Sequence, residues 1–599
     1  MTKYLLILFT SLSIILLFST CTPTEDTTLK EVDVLIIGGG TGGTAAGIQA
    51  ARLGAKTLVV EPTVWLGGML TAAGVSATDG NHHMPAGLWG EFRDSLRKHY
   101  GGAEALATGW VSHTQFEPSV GASIFQHIAD GEEDLEIWFK SNWQSVQYEN
   151  DNWIAEIEQE GILKTVKAKV LVDGTDLGDV AAAVGASYDL GMDAASKTGE
   201  KMAPSEANNI IQDFTYAAIL KDCGEGADKT IPKPANYDPT PFLCSCQALC
   251  EDDNEQPHPC ETMLTYGKLP NEKYMINWPL HGNDYYANLP KLSQEERAAF
   301  YQKAKDYTLS FVYFIQSELG YKNLGLAEDE FPTEDQLPMI PYHREGRRIH
   351  GLQRLTVNHI LNPYDYDLYK DGIAVGDYPI DHHHAEMPDA PEIDFPPVPS
   401  FNIPIGCLIP KSVDHLVMAD KAISVTNIVN GSSRLQPVIL QIGQAAGVIA
   451  ALASQKNVSP KDLAVRTVQK KLLDANGYLM PFYDVSPEHT HFSSIQKMAA
   501  CGLLQGIGEP YKWANRTWFY PDSLVQAKEL ETGLEEIGIS YEFEEEIVSI
   551  AALEKALEAE WTITDWNAFG LADFSKGRAL RRGEVCVVVD GIVKPIKPK

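Results

Sequence analysis

Near its N-terminus the chain reads Val32-Asp33-Val34-Leu35-Ile36-Ile37-Gly38-Gly39-Gly40-Thr41-Gly42-Gly43-Thr44-Ala45-Ala46. An apolar, β-branched run leads into a glycine cluster, and an alanine-rich segment with helical spacing follows. This order predicts a strand, a tight turn and the start of a helix. Gly38, Gly40 and Gly43 occupy the glycine places of the G-x-G-x-x-G pattern, with Thr41 and Gly42 between the last two. Because such a turn aims backbone N–H groups at an anion, we expect it to hold the phosphates of a dinucleotide.

The residues that follow the turn support this interpretation. A second apolar run, Lys56–Val60, ends in Glu61, and an acidic residue about 20 positions beyond the glycines accepts hydrogen bonds from a ribose in this class of site. The alternative is a glycine-rich loop without a ligand. Strand, turn, helix, strand and acidic residue in the right order favour the dinucleotide site.

A second glycine motif comes just after Glu61, in the segment Trp65-Leu66-Gly67-Gly68-Met69-Leu70-Thr71. It resembles the second glycine motif of the FAD-binding oxidoreductases of the glutathione-reductase-like superfamily, and ordinary NAD dehydrogenases do not show it. The resemblance implies FAD as the cofactor, with Gly67 and Gly68 among the residues that hold it. The context of His82 and His83 matches no known attachment motif, so we expect FAD to be bound noncovalently.

Further motifs in this order and spacing closely resemble a family of secreted or lipoprotein FAD-dependent oxidoreductases, some of whose members have a lyase name. The resemblance spans about residues 32–455. The motifs on which it rests are Val166–Asp179, Tyr342–Gly351, Gly376–His384, Phe401–Lys411, Ser424–Asn427, Gly431–Pro437 and Gly443–Gly447.

The family resemblance implies roles for several residues. Asp173 would lie in a turn that closes over FAD. Gly443-Gln444-Ala445-Ala446 would open a helix whose positive end points at the flavin pyrimidine, where negative charge collects on reduction. Arg434 would lie close to the same ring, and a structural ion pair is its alternative role. Where this chain has Asp176-Leu177, relatives often have an aromatic residue and a glutamate.

Composition and pattern predict the fold class and the domain layout. The chain has 599 residues, and its 48 basic and 81 acidic residues give a net charge of −33, so neither nucleic acid nor anionic lipid is an expected partner. We predict an α/β fold: a Rossmann-like FAD-binding domain over residues 31–460 with an inserted β-meander and a substrate or cap insertion at about 200–340. Strands are predicted at 135–139, 145–148, 153–157 and 166–172, and one long helix at Ser293–Leu319.

Residues 465–599 are predicted to form a small, mainly helical C-terminal domain. His489–Gly506 and Trp518–Asp522 resemble an S-layer homology unit, and Leu580–Val589 resembles the closing helix of a second copy. That resemblance implies a cell-wall glycan as a partner. The alternative, which we prefer, is a degenerate helical domain that docks on the oxidoreductase.

The N-terminus has the proportions of a signal peptide. Lys3 precedes an apolar run from Leu5 to Phe18 that is short for a membrane span, and Cys21 follows small residues. This resembles a bacterial lipoprotein processing site. It implies a signal peptide over residues 1–20, a lipid on Cys21, a tether over residues 21–30, and a place on the bacterial cell envelope, periplasmic or at the cell surface. A plain cleaved signal or an uncleaved anchor is the alternative.

Four cysteines crowd into one acidic stretch, at Cys244, Cys246, Cys250 and Cys260. In an exported protein such crowding favours disulfides, and four thiols allow three connectivities. His258 lies nearby and makes a metal site the alternative. The spacing matches no zinc pattern, so we predict no metal ligand.

The catalytic candidates lie in two of the family motifs. Flavin chemistry needs a group that handles the accompanying proton, and an acidic substrate needs a cationic clamp. His382 is our first choice for the base, because a neutral imidazole with an ordinary pKa near 6.5 can accept a hydroxyl proton. Tyr378 and the neighbouring His383 and His384 are further candidates. Arg344 and Arg347 would form the clamp.

The predicted function is therefore hydride transfer between a small organic substrate, such as a sugar or polyol, and FAD. The competing class is an envelope-anchored glycan-binding protein whose flavin fold is inactive. The intact glycines, Glu61 and Arg434 favour the enzyme. A lyase is suggested only by names given to relatives, since no carboxylate or tyrosine constellation supports it.

We predict that Cys21 becomes the N-terminal residue and is acylated once residues 1–20 are removed. Two or three acyl chains anchor a protein far more firmly than one chain, which binds a membrane only marginally. Mass spectrometry of the N-terminal peptide of native, membrane-derived protein tests this, and an unmodified Cys21 would rule the anchor out. A Cys21→Ser variant should move to the soluble fraction.

Overall fold

A computed structural model of the chain describes residues 24–557, 569 and 575–592. The predicted signal peptide and Cys21 lie outside the described residues, so both stay predictions. The strands are β1 (Thr24–Ile37), β2 (Thr57–Val60), β3 (Ala77–Thr78), β4 (Thr114–Gln115), β5 (Leu135–Trp138), β6 (Ser141–Glu149), β7 (Asn152–Gln159), β8 (Ile162–Asp173), β9 (Tyr188–Asp189), β10 (Phe214–Thr215), β11 (Ala218–Asp222), β12 (Lys268–Leu269), β13 (Lys273–Ile276), β14 (Asp284–Tyr285), β15 (Leu324–Leu326), β16 (Tyr342–His343), β17 (Arg348–Ile349), β18 (Gly372–Gly376), β19 (Phe401–Pro404), β20 (Leu416–Met418), β21 (Ile507–Glu509) and β22 (Arg516–Trp518).

Helices lie between these strands along the chain and after the last of them. They are α1 (Thr41–Arg52), α2 (Gly87–Tyr100), α3 (Pro118–Asp130), α4 (Asp179–Ala183), α5 (Ala195–Thr198), α6 (Cys260–Tyr266), α7 (Gln294–Ser317), α8 (Val357–Leu361), α9 (Asn427–Ser433), α10 (Gln436–Lys456), α11 (Val465–Asp474), α12 (Phe492–Ala500), α13 (Ala527–Glu536), α14 (Ile550–Leu557) and α15 (Arg582–Ile592).

A seven-stranded sheet lies at the centre of the FAD-binding half, in the order β5-β2-β1-β8-β7-β6, with β20 also paired to β8. Strands β5, β2, β1, β8 and β20 run parallel. The apolar run Val34–Ile37 of β1 is buried on both faces, as a central parallel strand requires. The predicted α/β fold is confirmed.

Strand β8 joins the parallel sheet to the meander. Its first half pairs antiparallel with β7, which pairs with β6, while its last three residues pair with β20. Strand β5, which we predicted with the meander, is instead the parallel edge strand beside β2. Residues 24–30, predicted as part of a tether, are the first part of β1 and run along β8.

Helix α10 is the central helix of the fold. Among the described helices, only α10 has the length and composition of a membrane span, and the whole of its apolar window is buried within the protein. It packs against α1, where a Cβ atom built on Gly443 would lie 2.1 Å from the Gly42 carbonyl oxygen. We therefore interpret it as a core helix.

The insertion between β9 and β17 has a hydrophobic core of its own, which includes Phe242, Phe311 and Phe314. Helix α7 crosses this core and begins with a capping box formed by Ser293 and Glu296, so the predicted long helix is confirmed. The four clustered cysteines form two disulfides, Cys244–Cys250 and Cys246–Cys260. The predicted cross-linking is therefore confirmed, with one of the three connectivities.

The C-terminal region packs directly on the oxidoreductase. Its buried residues, such as Ile495, Leu530 and Val588, belong to the same hydrophobic core as β1 and α10. The turn between β21 and β22 reaches the FAD-binding half, where the Asn515 N–H donates to the Asp377 carbonyl oxygen over 2.7 Å. These contacts agree with the docking interpretation.

Breaking the Cys246–Cys260 bond should loosen the insertion. These residues are 14 positions apart, and closing a loop of about 15 residues contributes roughly 3 kcal/mol in the chain-entropy model. In the Cys246→Ser/Cys260→Ser variant, limited proteolysis within residues 240–260 should be about 100-fold faster, because cleavage tracks the population of the open form. Cys223→Ser, which removes an exposed free thiol, is the control. Equal cleavage rates in all three proteins would contradict the prediction.

Candidate functional site

The glycine turn after β1 is packed against two other turns of the sheet. Gly38 has a φ of +98°, and a Cβ atom there would lie 2.5 Å from the Gly174 carbonyl oxygen. A Cβ atom on Gly42 would lie 1.6 Å from the Ala419 carbonyl oxygen. Contacts within the protein therefore require glycine at both positions.

Gly40 is different, because the protein itself does not require a glycine there. It is the N-cap of α1, and a Cβ atom on it would meet nothing closer than 3.4 Å. Such an atom would instead fill space at the helix N-terminus, where Gly40 lines a cavity. A phosphate group placed there would face the positive N-terminal end of α1, where the Gly42 N–H already donates to Asp420.

This cavity, which we call the cofactor cavity, has a volume of about 220 Å³. The cavity begins at the glycine turn after β1. Its other walls are β6, the turn after β8, and α7 of the insertion. The side chains and turns that line it include Gly38, Gly40, Glu61, Gly68, Ser141, Trp143, Gly174, Thr175, Asp176, Asp179, Tyr301 and His343.

Glu61 lies at the end of β2, where the sequence predicts the ribose acceptor. Its carboxylate accepts hydrogen bonds from the Gly39 N–H over 2.9 Å and from the Thr63 N–H over 2.8 Å. Burial raises the pKa of Glu61 to about 7 despite these bonds. Each oxygen keeps a lone pair, so the side chain is held in place and can still accept from a ribose hydroxyl.

The second glycine motif packs on the first turn. The Thr41 hydroxyl donates to the Gly67 carbonyl oxygen over 2.7 Å. A Cβ atom on Gly68 would lie 2.8 Å from the Gly40 Cα atom, and Gly68 lines the cofactor cavity. The two motifs are therefore brought together, as the sequence resemblance implies.

Asp173 holds its turn and does not line the cofactor cavity. Its carboxylate accepts from the Thr175 N–H and hydroxyl, over 2.9 and 2.6 Å, and from the Ala181 N–H over 2.8 Å. The next residues, Gly174 to Asp176, form the cavity wall. In this turn, Gly174, Thr175 and Asp176 therefore line the cofactor cavity, and Asp173, which we predicted to do so, does not.

The sequence analysis missed a chain of buried charges beside the cofactor cavity. The Lys421 ammonium group lies between Asp176 and Asp420, with N–O distances of 2.7 and 2.8 Å, and Asp420 accepts from the Gly42 N–H over 3.0 Å. His343 contacts the other oxygen of Asp176 over 3.1 Å. Lys421 and His343 hold the pKa of Asp176 well below its usual value although burial raises it. A signal was present, since the apolar run of β20 ends in Asp420 just as β2 ends in Glu61.

The predicted helix opening at Gly443 is wrong, because α10 begins two turns earlier, at Gln436, with Pro437 in its first turn. Gln444 donates to the Gln49 side chain over 2.9 Å, and Ala445 and Ala446 are fully buried. Gly443–Ala446 are therefore packing residues between α10 and α1. The positive end of α10 lies at Gln436, beside a second cavity.

This second cavity, which we call the substrate cavity, lies on the other side of β16 and has a volume of about 40 Å³, so a substrate can place only part of itself there. Side chains of consecutive strand residues point to opposite faces, and accordingly His343 lines the cofactor cavity while Tyr342 lines the substrate cavity. The residues that line the substrate cavity are Met69, Val75, Ala77, Asp79, Tyr266, Met275, Asn277, Tyr342, Arg344, Asp381, His383, Arg434, Leu435 and Gln436.

Two buried arginines of the substrate cavity each pair with one carboxylate. Arg434 donates to Asp381 over 2.7 Å and to the Tyr342 hydroxyl over 2.6 Å. Arg344 donates to Asp284 over 3.0 Å. Burial raises the pKa of Asp284, but Arg344 and His383 outweigh it and lower the pKa to about 2.

The substrate cavity contains His383 and not His382. His383 Nε2 lies 3.2 Å from an Asp381 oxygen, and its Nδ1 lies 3.4 Å from Asp284 Oδ2. His382 points away, with its Nε2 3.2 Å from the Ile428 carbonyl oxygen and its ring against Phe395. Burial lowers the pKa of His382 to about 3, so the structure does not bring our first choice of base into this cavity.

Two further predicted catalytic residues lie outside the substrate cavity. Arg347 donates to Asp179 and to the Pro290 carbonyl oxygen, both over 2.6 Å, and so ties the turn after β8 to the insertion. Tyr378 is buried behind the cavity and stacks on Trp513 of the C-terminal region, with 5.9 Å between ring centroids. Burial and the nearby Asp79 and Asp381 raise its pKa well above 10.

A family model for FAD-dependent oxidoreductases matches residues 33–472. This chain belongs to the FAD-dependent oxidoreductase family. FAD is therefore its cofactor, and the glycine turn, Glu61 and the open space at Gly40 fit that group. His82 and His83 line neither cavity, since their rings lie against His113 and Tyr483, and noncovalent FAD stays a prediction.

Solved structures show more distant likenesses. p-Nitrophenol 4-monooxygenase PnpA from Pseudomonas putida DLL-E4 is 12% identical, with a TM-score of 0.31, and the match covers 78% of this chain and 90% of that chain. CabE, an aromatic hydroxylase from angucycline biosynthesis, is 16% identical with a TM-score of 0.23, over 34% of this chain and 40% of that one. L-proline dehydrogenase from P. horikoshii is 16% identical with a TM-score of 0.16, over 25% and 24%. The chain thus spans under half the length of CabE, and the family assignment depends on the family model alone.

Gly40→Ala should separate cofactor binding from folding. Its methyl group clashes with no protein atom but occupies the space at the helix N-terminus, so we expect the apoprotein to melt normally and to bind FAD at least tenfold more weakly. Gly42→Ala should instead fail to fold, because of the Ala419 carbonyl oxygen. Flavin fluorescence titration and apoprotein melting curves measure both effects.

Gly577→Ala serves as the control for this pair, because a methyl group there meets open space. Unchanged FAD affinity in the Gly40→Ala protein would mean that the phosphates bind elsewhere. A normally folded Gly42→Ala protein would contradict the packing argument.

Proposed function

We propose that this FAD-dependent oxidoreductase oxidises a hydroxyl group of a neutral, polyhydroxylated small molecule such as a sugar or polyol, with His383 as the base. The observation on which this proposal mainly depends is the position of His383 between the carboxylates of Asp381 and Asp284. When bound, FAD supplies the acceptor for the hydride of the oxidised carbon. The protein must supply the group that takes the hydroxyl proton.

Each ring nitrogen of His383 faces a carboxylate, Nε2 towards Asp381 over 3.2 Å and Nδ1 towards Asp284 over 3.4 Å. In the neutral ring that donates its Nε2–H to Asp381, Nδ1 has the lone pair that would accept the substrate proton. The resulting imidazolium would be stabilised by two adjacent carboxylates. Arg434 and Arg344 each hold one of these carboxylates in place, so they act on the base and not on the substrate.

The charge of the substrate cavity favours a neutral substrate. Both arginines that line it are already paired with carboxylates, and Asp79 adds a further acidic group. The described lining residues include no lysine, and each of the two arginines already has a carboxylate partner, with Arg434 Nε as the donor that stays unpartnered. The cationic clamp predicted from Arg344 and Arg347 is therefore not what the geometry supports.

Unsatisfied acceptors in the substrate cavity favour hydroxyl groups in particular. The amide oxygens of Asn277 and Gln436 are buried and have no hydrogen-bond partner within the described residues, although both side chains line the cavity. A buried acceptor without a donor is costly. Substrate hydroxyl groups would supply the missing donors.

We also propose that the enzyme works on the bacterial cell envelope. Two disulfides in the insertion fit an oxidising compartment, in agreement with the signal-like N-terminus.

A cell-wall glycan as partner of the C-terminal region is supported by its exposed aromatic residues Tyr511, Trp513 and Tyr520. Failure of the protein to sediment with purified cell walls would exclude that partner.

His383→Asn should slow anaerobic flavin reduction about 10²-fold or more, the usual size of a lost base. Its flavin spectrum should stay normal, since His383 lies outside the cofactor cavity. His382→Asn is the matched control, and we expect a rate within about threefold of the wild type. D-glucose, D-mannitol and myo-inositol are the first substrates to test, by stopped-flow bleaching of the flavin.

Two outcomes would contradict this mechanism. Equal slowing in both histidine variants would point to a general disturbance of the loop, and normal reduction in His383→Asn would remove that residue from the reaction. Reduction by organic acids but by no polyol would overturn the substrate class.

A further inference from the structure

Asp79 lies in the substrate cavity, and the mechanism above gives it no role. It follows β3, and its carboxylate accepts a hydrogen bond from the Ser112 hydroxyl. Among the described residues, no lysine, arginine or histidine lies within ion-pair distance of Asp79. One hydroxyl donor therefore serves a carboxyl group with about four acceptor positions.

The other carboxyl groups at this site are treated differently by the protein. Asp284 and Asp381 each have an arginine as partner, and both also face His383. Burial in the cavity wall raises the pKa of Asp79 above its usual value, and the nearby Asp381 carboxylate raises it further, against the Ser112 hydrogen bond and the charges of Arg434 and His113. The Asp79 carboxyl group is half-buried and has a single protein hydrogen-bond donor, so it can accept further hydrogen bonds from a ligand.

A second observation indicates that this part of the cavity is built for a ligand. The Asn277 side chain is only 6% exposed and lines the same cavity, and its amide oxygen has no partner among the described residues. Among the described residues, this cavity has both unpartnered acceptors, the amide oxygens of Asn277 and Gln436, and an unpartnered donor, Arg434 Nε. A ligand hydroxyl group can pair with either kind, because it both donates and accepts.

We infer that the Asp79 carboxyl group binds a second hydroxyl group of the substrate, distinct from the one that is oxidised, and so selects polyols over simple alcohols. This inference rests on the proposed function, because it assigns a specificity residue to the same site. The alternative is a structural role, in which Asp79 only fixes the loop that contains Ser112.

The test compares hydroxyl and deoxy substrates on the FAD-loaded enzyme. D-glucose, D-mannitol and myo-inositol are scored by anaerobic flavin reduction, and the mono-deoxy analogues of the best one follow. The wild type should use at least one deoxy analogue tenfold or more less efficiently than its parent. Asp79→Asn should lower the efficiency with the parent by tenfold or more, the range of a hydrogen bond to a charged group, and with that analogue by less than threefold.

Two controls separate binding from structure. The Asp79→Asn apoprotein should melt at or above the wild-type temperature, because a neutral amide replaces a carboxyl group whose ionised form its surroundings disfavour. Asp94→Asn, which alters an exposed carboxylate on α2, should keep wild-type efficiency with every probe.

Each contrary outcome has a distinct meaning. Equal losses with the parent and all its deoxy analogues, or a lower melting temperature with discrimination intact, would overturn the role of Asp79 and leave the proposed function standing. Flavin reduction by none of the polyols would overturn the proposed function and this inference together.

Discussion

Three backbone segments meet around Gly42 with no room for a side chain, and the cofactor site depends on this contact. The start of α1 lies on the turn after β20 on one side and on α10 on the other, where Gly443 and Gly447 are equally close to α1. Because the contact is between backbones, even a methyl group at Gly42 would force α1 away from the sheet edge. The Gly42 N–H then meets Asp420, and the space left at Gly40 is the cofactor cavity.

The insertion is oriented by buried ion pairs that converge on one carboxylate. Asp179, in the turn after β8, accepts from Arg297 of α7 over 2.7 and 2.8 Å and from Arg347 over 2.6 Å. Removing one partner of such a cluster leaves an uncompensated charge, which is strongly destabilising. Since Asp179 also lines the cofactor cavity, the same residue connects the position of the insertion to that of the cofactor. Strand β16 is thereby held between the two cavities.

The sequence predicted those parts of the site in which local pattern and geometry agree. The glycine turn, Glu61 and the long helix after Ser293 all follow from spacing along one element, and the structure has them where they were expected. The choice of His382 ahead of His383 had no local pattern behind it, because the loop that contains them has no period. Their directions are set by Ile428, Phe395 and Asp284, which are distant in sequence. The start of α10 was placed too late because the helix opening at Gly443 was taken from the family resemblance, although Pro437 marked the true first turn.

The residues that the sequence analysis missed, Asp420 and Lys421, and the one to which it gave a different role, Arg347, share another property: their roles depend on partners from several elements. Asp420 and Lys421 matter because Asp176 and Gly42 come from different turns of the sheet, and Arg347 proved structural because Asp179 and Pro290 surround it. A resemblance to relatives could suggest that such residues lie near the cofactor. It could not show which of them face the cavity.

The continuous core between the oxidoreductase and the C-terminal region bears on how the chain could have evolved. The family match ends at residue 472, yet Tyr364 accepts from the Gly506 N–H, Lys370 pairs with Glu536, and Arg466 donates to the Ala500 carbonyl oxygen. A segment bound in this way cannot be exchanged between proteins as an independent module, because its removal would expose apolar surface of the catalytic half. Substitutions on either side of the boundary must therefore be accommodated on the other, so that the two parts diverge as one unit.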